Sequence, residues 1–356
     1  MTGVDLRSLA EQGVVHFVGV GGAGMCALAE LLLRSGGRVS GCDLKESPAL
    51  GDLSALGAPV HVGHDRGHVS GCSAVVMTSA IPPDHPEIDA ARQAGTPVLK
   101  RAEALGAWVQ GGTVVAVAGT HGKTTTTAMV TEILAHAGRD PTGLVGGRVL
   151  GWHGNLRFGG GSLFVVEADE YDRSFLHLVP DVAVVTNVEA DHLDVYGDFE
   201  GVREGFTDFL SRVRPHGRAV ICADDQGASS LLPPLGPRGY TYGASAGSML
   251  RATDLEIGPR VARCRVFEEG RRVGALVLRG GGRHNLTNAL GAAGAARALD
   301  VPWSAILEAL EGFSGVARRF ERLGEAAGVS VVDDYAHHPT EIRVTLETIR
   351  TVFGGA

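Results

Sequence analysis

The chain has no apolar run near the roughly 20 residues that a membrane-spanning helix needs, and its first residues show neither the basic nor the apolar region of a secretory signal. The expected location is the cytoplasm, with no membrane partner. Cysteine is sparse. Cys26, Cys42, Cys72, Cys222 and Cys264 lie far apart without a CxxC pair, which argues against a disulfide framework or a zinc cluster and for reduced, mostly buried thiols. Positive charge is not in excess either: the formal net charge is -8 and the arginines are scattered, so no nucleic-acid surface is expected. An anionic substrate would have to be held by local groups. What remains, 44% hydrophobic and 20% charged residues, suits a globular protein, and 356 residues exceed one ordinary core and point to two or three domains.

Glycine, by contrast, is plentiful, and one glycine-containing stretch organises the rest. Val114-Val115-Ala116-Val117-Ala118 reads as a buried strand, Gly119-Thr120-His121-Gly122-Lys123-Thr124-Thr125 as a loop, and Ala128 to Leu134 as a helix. Strand, glycine loop and helix are the context of a phosphate loop. Loop amides and the positive helix end point at an anion, Lys123 neutralises phosphate oxygens, and the Thr124 hydroxyl can ligate magnesium. The spacing GxxGKT is shorter than the general GxxxxGKT.

A second glycine run follows the strand Val14–Val18: Gly19-Val20-Gly21-Gly22-Ala23-Gly24, then a helix starting near Met25 and the strand Arg38–Asp43. This is a βαβ nucleotide fingerprint with Asp43 placed to meet a ribose hydroxyl. By itself it fits a dinucleotide, another nucleotide diphosphate, or a close helix–strand packing. Further strands at Ala74–Thr78, ahead of Ser79, and Pro97–Leu99 alternate with helices, so a parallel sheet is expected, ending near Gln110. Beyond the phosphate loop, Leu163–Val166 delivers Glu167-Ala168-Asp169-Glu170, and Val182–Val185 delivers Thr186 to Asp194 with His192. Ligands of open α/β sheets sit at such carboxyl ends, and hard magnesium needs oxygen beside phosphate, so Glu167 and His192 are metal candidates. From Gly239 to Leu278 the period shortens to alternating runs between glycine turns, read as a small antiparallel insert. Asn285 and Asn288 open a helix as caps or as amides for a base. Arg318 and Arg319 are surface charge or stabilise a transferring phosphoryl group. The strand Val329–Val332, the cluster Asp333 to Glu341 and a helix Ile342–Val352 form one last βα unit.

With GVGGAGM at 19–25, GTHGKTTT at 119–126, EADE at 167–170, TNVEADHLD at 186–194, GRHNLTNA at 282–289, RRF at 318–320 and DDYAHHPTE at 333–341, the chain resembles the Mur ligases of bacterial cell-wall synthesis over essentially its whole length. The resemblance implies an α/β protein with an N-terminal Rossmann-like domain (1–110) that binds a UDP-sugar through Gly19, Gly21, Gly22, Gly24, Met25, Asp43 and Ser79. It implies a central P-loop ATPase domain (111–323), with the insert, and the start of a C-terminal Rossmann-like domain (324–356), most of which the family carries beyond this endpoint. ATP would lie on Gly119, Thr120, His121, Gly122, Lys123, Thr124 and Thr125, with Asn285 and Asn288 at adenine and Arg319 and Asp334 closing over it. Magnesium would be held by Thr124, Glu167 and His192. Lys123, His192, Arg319 and His337 would be catalytic, and Tyr335 and His337 would meet the amino acid.

The implied substrates are UDP-N-acetylmuramate, L-alanine and ATP, in a monomer or homodimer. Tyr171 departs from the serine usual in the alanine-adding branch and is similar to the murein-peptide recycling branch, whereas Ser174 to Leu178 and the DDYAHHPTE run fit the alanine-adding one. Other readings are a non-catalytic nucleotide-binding fragment and a nicotinamide oxidoreductase, the latter leaving the phosphate loop unexplained.

Overall fold

A computed structural model describes residues 4–82, 84–152, 154–258, 260–280 and 282–354. Short runs of β-branched residues buried on both faces form its strands. The first sheet contains β1 (Val14–Val18), β2 (Arg38–Asp43), β3 (Val60–Val62), β4 (Ala74–Met77) and β5 (Val98–Lys100), all parallel, in the order β3-β2-β1-β4-β5. Alternation along β1 divides its side chains between two clusters: Val15 and Phe17 join the main core, and Val18 joins a smaller one with Cys42, Val75 and Ile88.

The second sheet has ten strands. These are β6 (Thr113–Ala118), β7 (Thr142–Leu144), β8 (Leu156–Arg157), β9 (Leu163–Glu167), β10 (Val182–Val185), β11 (Arg218–Cys222), β12 (Gly239–Gly243), β13 (Leu250–Ile257), β14 (Val261–Glu268) and β15 (Arg271–Arg279). The order is β15-β14-β13-β12-β11-β10-β6-β9-β7-β8. The antiparallel part is not a separate insert and starts later than the residue pattern indicates. β12 lies parallel to β11, and β13 runs parallel to β12 through two residue pairs before β14 and β15 turn back. Register with β11 makes Gly239–Gly243 part of the parallel sheet, which alternation alone does not disclose.

A two-stranded hairpin, β16 (Glu321–Ala326) and β17 (Val329–Asp333), precedes a helix over Pro339–Phe353. The sequence reading has β17 but not β16, and β16 lies across position 323/324. Its residues are mostly exposed and show no alternation; the strand exists through pairing, closed by Ala327 and Gly328 with φ of 52° and 76°, as a tight hairpin turn requires. The helix begins three residues before its expected start because Pro339 occupies its first turn and His338 caps it, with Glu341 completing a capping box. Among the described residues no helix is long and apolar enough to cross a membrane. All five cysteines are free and all but Cys72 are buried.

Candidate active site

β6 is buried from Val114 onward and is followed directly by Gly119. That glycine has φ +133°, and a Cβ on it would lie 2.0 Å from Thr186 Oγ1; at Gly122, φ is +81° and a Cβ would lie 2.5 Å from Asn288 Oδ1. Neither position admits another residue without moving its neighbour. The end of β10 shapes the loop. Thr186 Oγ1 donates to the His121 carbonyl at 2.5 Å, Asn187 accepts from His121 N at 2.8 Å and donates to its carbonyl at 3.1 Å, and Glu189 N donates to Thr120 Oγ1 at 2.9 Å. Helix Lys123–His136 starts at Gly122 with no side chain capping it, which leaves the N–H groups of its first turn for an anion.

Lys123 is committed to a partner the sequence reading quotes but does not assign. Its Nζ donates to both carboxylate oxygens of the buried Glu170, at 2.9 and 2.8 Å, and to the Gly119 carbonyl at 2.7 Å. Burial pulls the lysine pKa down, but the carboxylates of Glu170, Asp169 and Glu167 outweigh it and the net shift is upward. Glu167, at the end of β9, accepts from Gly146 N at 2.7 Å and from the Thr124 hydroxyl, and burial raises its pKa. A half-buried carboxylate next to a hydroxyl, beside a phosphate loop, is a hard oxygen donor set that fits magnesium. His192 makes no ion pair with Glu167. It caps a short helix in a left-handed conformation, its Nε2 is 3.7 Å from Asp191 Oδ2, and its ring lies 5.1 Å from that of Tyr171.

A cavity of about 270 Å³ opens beside the loop, lined by His121, Gly122, Thr125, Asn285, Asn288, Arg319, Asp334 and Glu341. Asn288 Nδ2 donates to Asn285 Oδ1 at 3.4 Å, bringing both amides to the phosphate-loop side. Asp334 accepts from Phe320 N and Ala336 N, each at 2.8 Å, and so holds the segment that carries Arg319. The last unit closes this cavity through polar contacts. Glu341 Oε1 lies 3.1 Å from His121 Nδ1, and Thr340 Oγ1 donates to Glu189 Oε2 at 2.8 Å. Tyr335 and His337 lie at the exposed side, the tyrosine under the Arg318 guanidinium at 4.7 Å and the His337 Nδ1 3.0 Å from the Tyr335 carbonyl.

Burial alone would raise the pKa of Glu341, but the hydrogen bond from His121 and the amides of His337 and His338 outweigh it and hold the carboxyl at about 2. A depressed carboxyl pKa contributes stability above its ordinary value of 4.5, and that contribution is lost as pH falls to about 2. The expected result for Glu341→Gln is a melting temperature below the parent's at neutral pH, with the gap closing as pH drops through that window. A gap that stays constant down to pH 2 rejects the assignment.

On the other side of the phosphate loop, the glycine run after β1 is held by β2. The Cys42 carbonyl accepts from Gly19 N and Val20 N, at 2.9 and 3.0 Å, and Asp43 Oδ2 accepts from Gly21 N at 2.9 Å. Asp43 therefore shapes the loop directly. Met25 is buried, so its side chain packs in the core; Ser79 is exposed just beyond β4. A cavity of about 240 Å³ joins this domain to the next, lined by Gly24, Arg101, Gly146, Glu167 and Asp169 among others. From sequence Arg101 is only the start of a helical stretch to Val109, with no role in a site. It opens the helix Arg101–Val109, and only the fold brings it against Gly24 and opposite the acids of β9.

Three family models match the chain in succession: the catalytic domain of the Mur ligase family over residues 14–112, the Mur ligase middle domain over 117–296, and the Mur ligase glutamate ligase domain over 318–356. The UDP-N-acetylmuramate--L-alanine ligase of Syntrophobacter fumaroxidans is 46% identical over 336 residues, covering 94% of this chain and 72% of that protein. Among solved structures, the UDP-N-acetylmuramate-alanine ligase MurC from Thermotoga maritima matches with a TM-score of 0.85 at 33% identity, over 96% of this chain and 78% of that one. A UDP-N-acetylmuramate:L-alanyl-gamma-D-glutamyl-meso-diaminopimelate ligase from Neisseria meningitides gives 0.78 at 29% identity, over 86% and 99%.

Proposed function

The chain belongs to the Mur ligase family, and from that premise we propose that it joins L-alanine to the lactyl carboxylate of UDP-N-acetylmuramate with ATP, a step of peptidoglycan precursor synthesis. The observation that carries the reading is the shared cavity: Gly24 and Arg101 from the fingerprint domain face Glu167 and Asp169 of the domain that bears the phosphate loop. A sugar-nucleotide carboxylate and the end of a nucleoside triphosphate would meet there. Residues 1–110 bind the UDP-sugar, 111–323 bind ATP, and 324–356 close over the nucleotide.

A carboxylate does not acylate an amine in water unactivated. Its oxygen attacks the γ-phosphorus of ATP and the bond to the bridging oxygen of ADP breaks, giving an acyl phosphate. The neutral amine of L-alanine then attacks the acyl carbon, inorganic phosphate leaves, and a proton is lost from nitrogen. Both steps build negative charge on oxygen, which Lys123, the uncapped first-turn amides of helix Lys123–His136 and Arg319 stabilise from fixed positions. Thr124 and Glu167 would hold a magnesium ion, with His192 as a further ligand, and the ion would supply charge neutralisation at the phosphates. Asn285 and Asn288 face adenine. His337 takes the amine proton, since its Nε2 has no protein partner among the described residues, and Tyr335 borders the amino acid. The protein acts in the cytoplasm as a monomer or homodimer, without nucleic acid or membrane.

Phosphate release is the test. It is expected only when ATP, UDP-N-acetylmuramate and L-alanine are all present. Release with the tripeptide L-alanyl-γ-D-glutamyl-meso-diaminopimelate but not with L-alanine would move the chain to the recycling reaction, the direction in which Tyr171 points. Nucleotide binding without release under either condition would reduce it to a binding module.

A further inference from the structure

Away from the phosphate loop, in the smaller core cluster of the first domain, four potential metal-ligand side chains converge from four separate elements. They are His16 on β1, Cys42 on β2, His68 in the short turn Arg66–Val69, and Glu87 in the first turn of helix Pro86–Gln93. We propose that they bind a zinc ion, or another divalent transition metal of the same preference, as a structural site. The donor atoms are His16 Nε2, Cys42 Sγ, His68 Nδ1 and Glu87 Oε1.

Three of the six donor separations already lie near tetrahedral edges. Zinc bonds of about 2.0 to 2.3 Å set tetrahedral edges of roughly 3.3 to 3.7 Å. The observed separations are 3.4 Å from Cys42 Sγ to His16 Nε2, 3.3 Å from Cys42 Sγ to Glu87 Oε1 and 3.9 Å from His16 Nε2 to Glu87 Oε1. All four donors lie within 4.8 Å of one another. The one short edge, 2.7 Å between His68 Nδ1 and Glu87 Oε1, is a hydrogen bond whose opening by under an ångström would admit the ion.

The surroundings are those of a ligand shell. His16 Nδ1 is 2.8 Å from Ser40 Oγ, and with its proton donated there Nε2 carries the lone pair. His16 is fully buried, and its ring lies 5.8 Å from that of His68. The second oxygen of Glu87 is held 3.0 Å from His64 Nδ1, and the His68 ring is stacked on His61 at 4.4 Å. Among the described residues every ion-pair partner of the fully buried Glu87 is a histidine, so no permanent cation offsets it. A divalent ion supplies that charge and displaces the thiol proton of Cys42, which burial otherwise keeps in place. With thiolate, imidazole and carboxylate together, the set suits zinc and excludes magnesium.

The site also touches function. The Cys42 carbonyl holds the amides of Gly19 and Val20, so an ion on its sulfur stiffens the start of the glycine run from beneath.

Elemental analysis of the full chain, refolded or expressed with zinc and then dialysed, is expected to give about one zinc per molecule. Cobalt substituted for zinc is expected to show the intense visible bands of a tetrahedral site and a thiolate charge-transfer band. Cys42→Ser and His68→Gln are each expected to lower zinc affinity at least about tenfold, Cys42→Ser with loss of the charge-transfer band, while His338→Gln, in the separate His121, Glu189 and His338 cluster, leaves both unchanged. His68 is partly exposed, so its variant tests the site even if Cys42→Ser fails to fold. Zinc below one-tenth of an equivalent, cobalt without the thiolate band, or parent-like affinity in His68→Gln would overturn the proposal.

Discussion

Replacing Lys123 with alanine is expected to lower ATP-dependent ligation by on the order of a thousandfold while leaving the affinity for UDP-N-acetylmuramate near that of the parent. Removing one preorganised donor from a developing oxyanion costs about a hundred- to a thousandfold, and Lys123 also carries a full charge. The substitution has a second consequence. It leaves the buried Glu170 carboxylate without its partner, and breaking a buried pair costs about 3 to 5 kcal/mol, less whatever protonation of Glu170 recovers. The double variant Lys123→Ala/Glu170→Gln separates the two effects: its melting temperature should recover most of the loss and its turnover none. Ligation within tenfold of the parent in either variant rejects the role assigned to the phosphate loop.

Glu167→Gln is expected to lower turnover about a hundredfold and to raise the magnesium concentration for half-maximal rate at least tenfold. The amide oxygen still accepts from Gly146 N, so the loop between β7 and β8 keeps its anchor. What disappears is a negative charge held where burial already disfavours it. Stability should therefore stay level or rise slightly, since neutralising a desolvated carboxylate removes a cost. An unchanged magnesium titration would show that the ion sits elsewhere, with His192 and Asp191 the next place to look.

The parts of the site that the sequence discloses are those carried by consecutive residues. Gly119 to Thr125 and Gly19 to Gly24 each form one turn between a strand and a helix, and their spacing states the chemistry. Glu170, Arg101, Glu189 and Glu341 carry no local signal because each gains a role only across the fold: Glu170 from the loop after β9 onto Lys123, Glu341 from the last helix onto His121. The same limit applies to metal ligands. Wide cysteine spacing argues against a zinc cluster, yet parallel pairing of β1 with β2 brings His16 near Cys42, and a turn and a helix add His68 and Glu87, which no local spacing encodes. β16 escapes for a related reason, since a mostly exposed strand carries no burial pattern and is defined by its partner alone.

The attachment of the last unit has a kinetic meaning. Among its described side chains only Thr348 and Val352 are buried, while its grip on the rest of the molecule runs through His121, Glu189 and Glu341. Amide hydrogens of residues 321–354 should therefore exchange through a detachment costing far less free energy than the opening that exposes β6 or β10. A nucleotide lying between His121 and Asp334 would touch both sides of that seam. Slowed exchange on addition of ATP, confined at first to this segment, would report closure as a change in the order in which the protein comes apart.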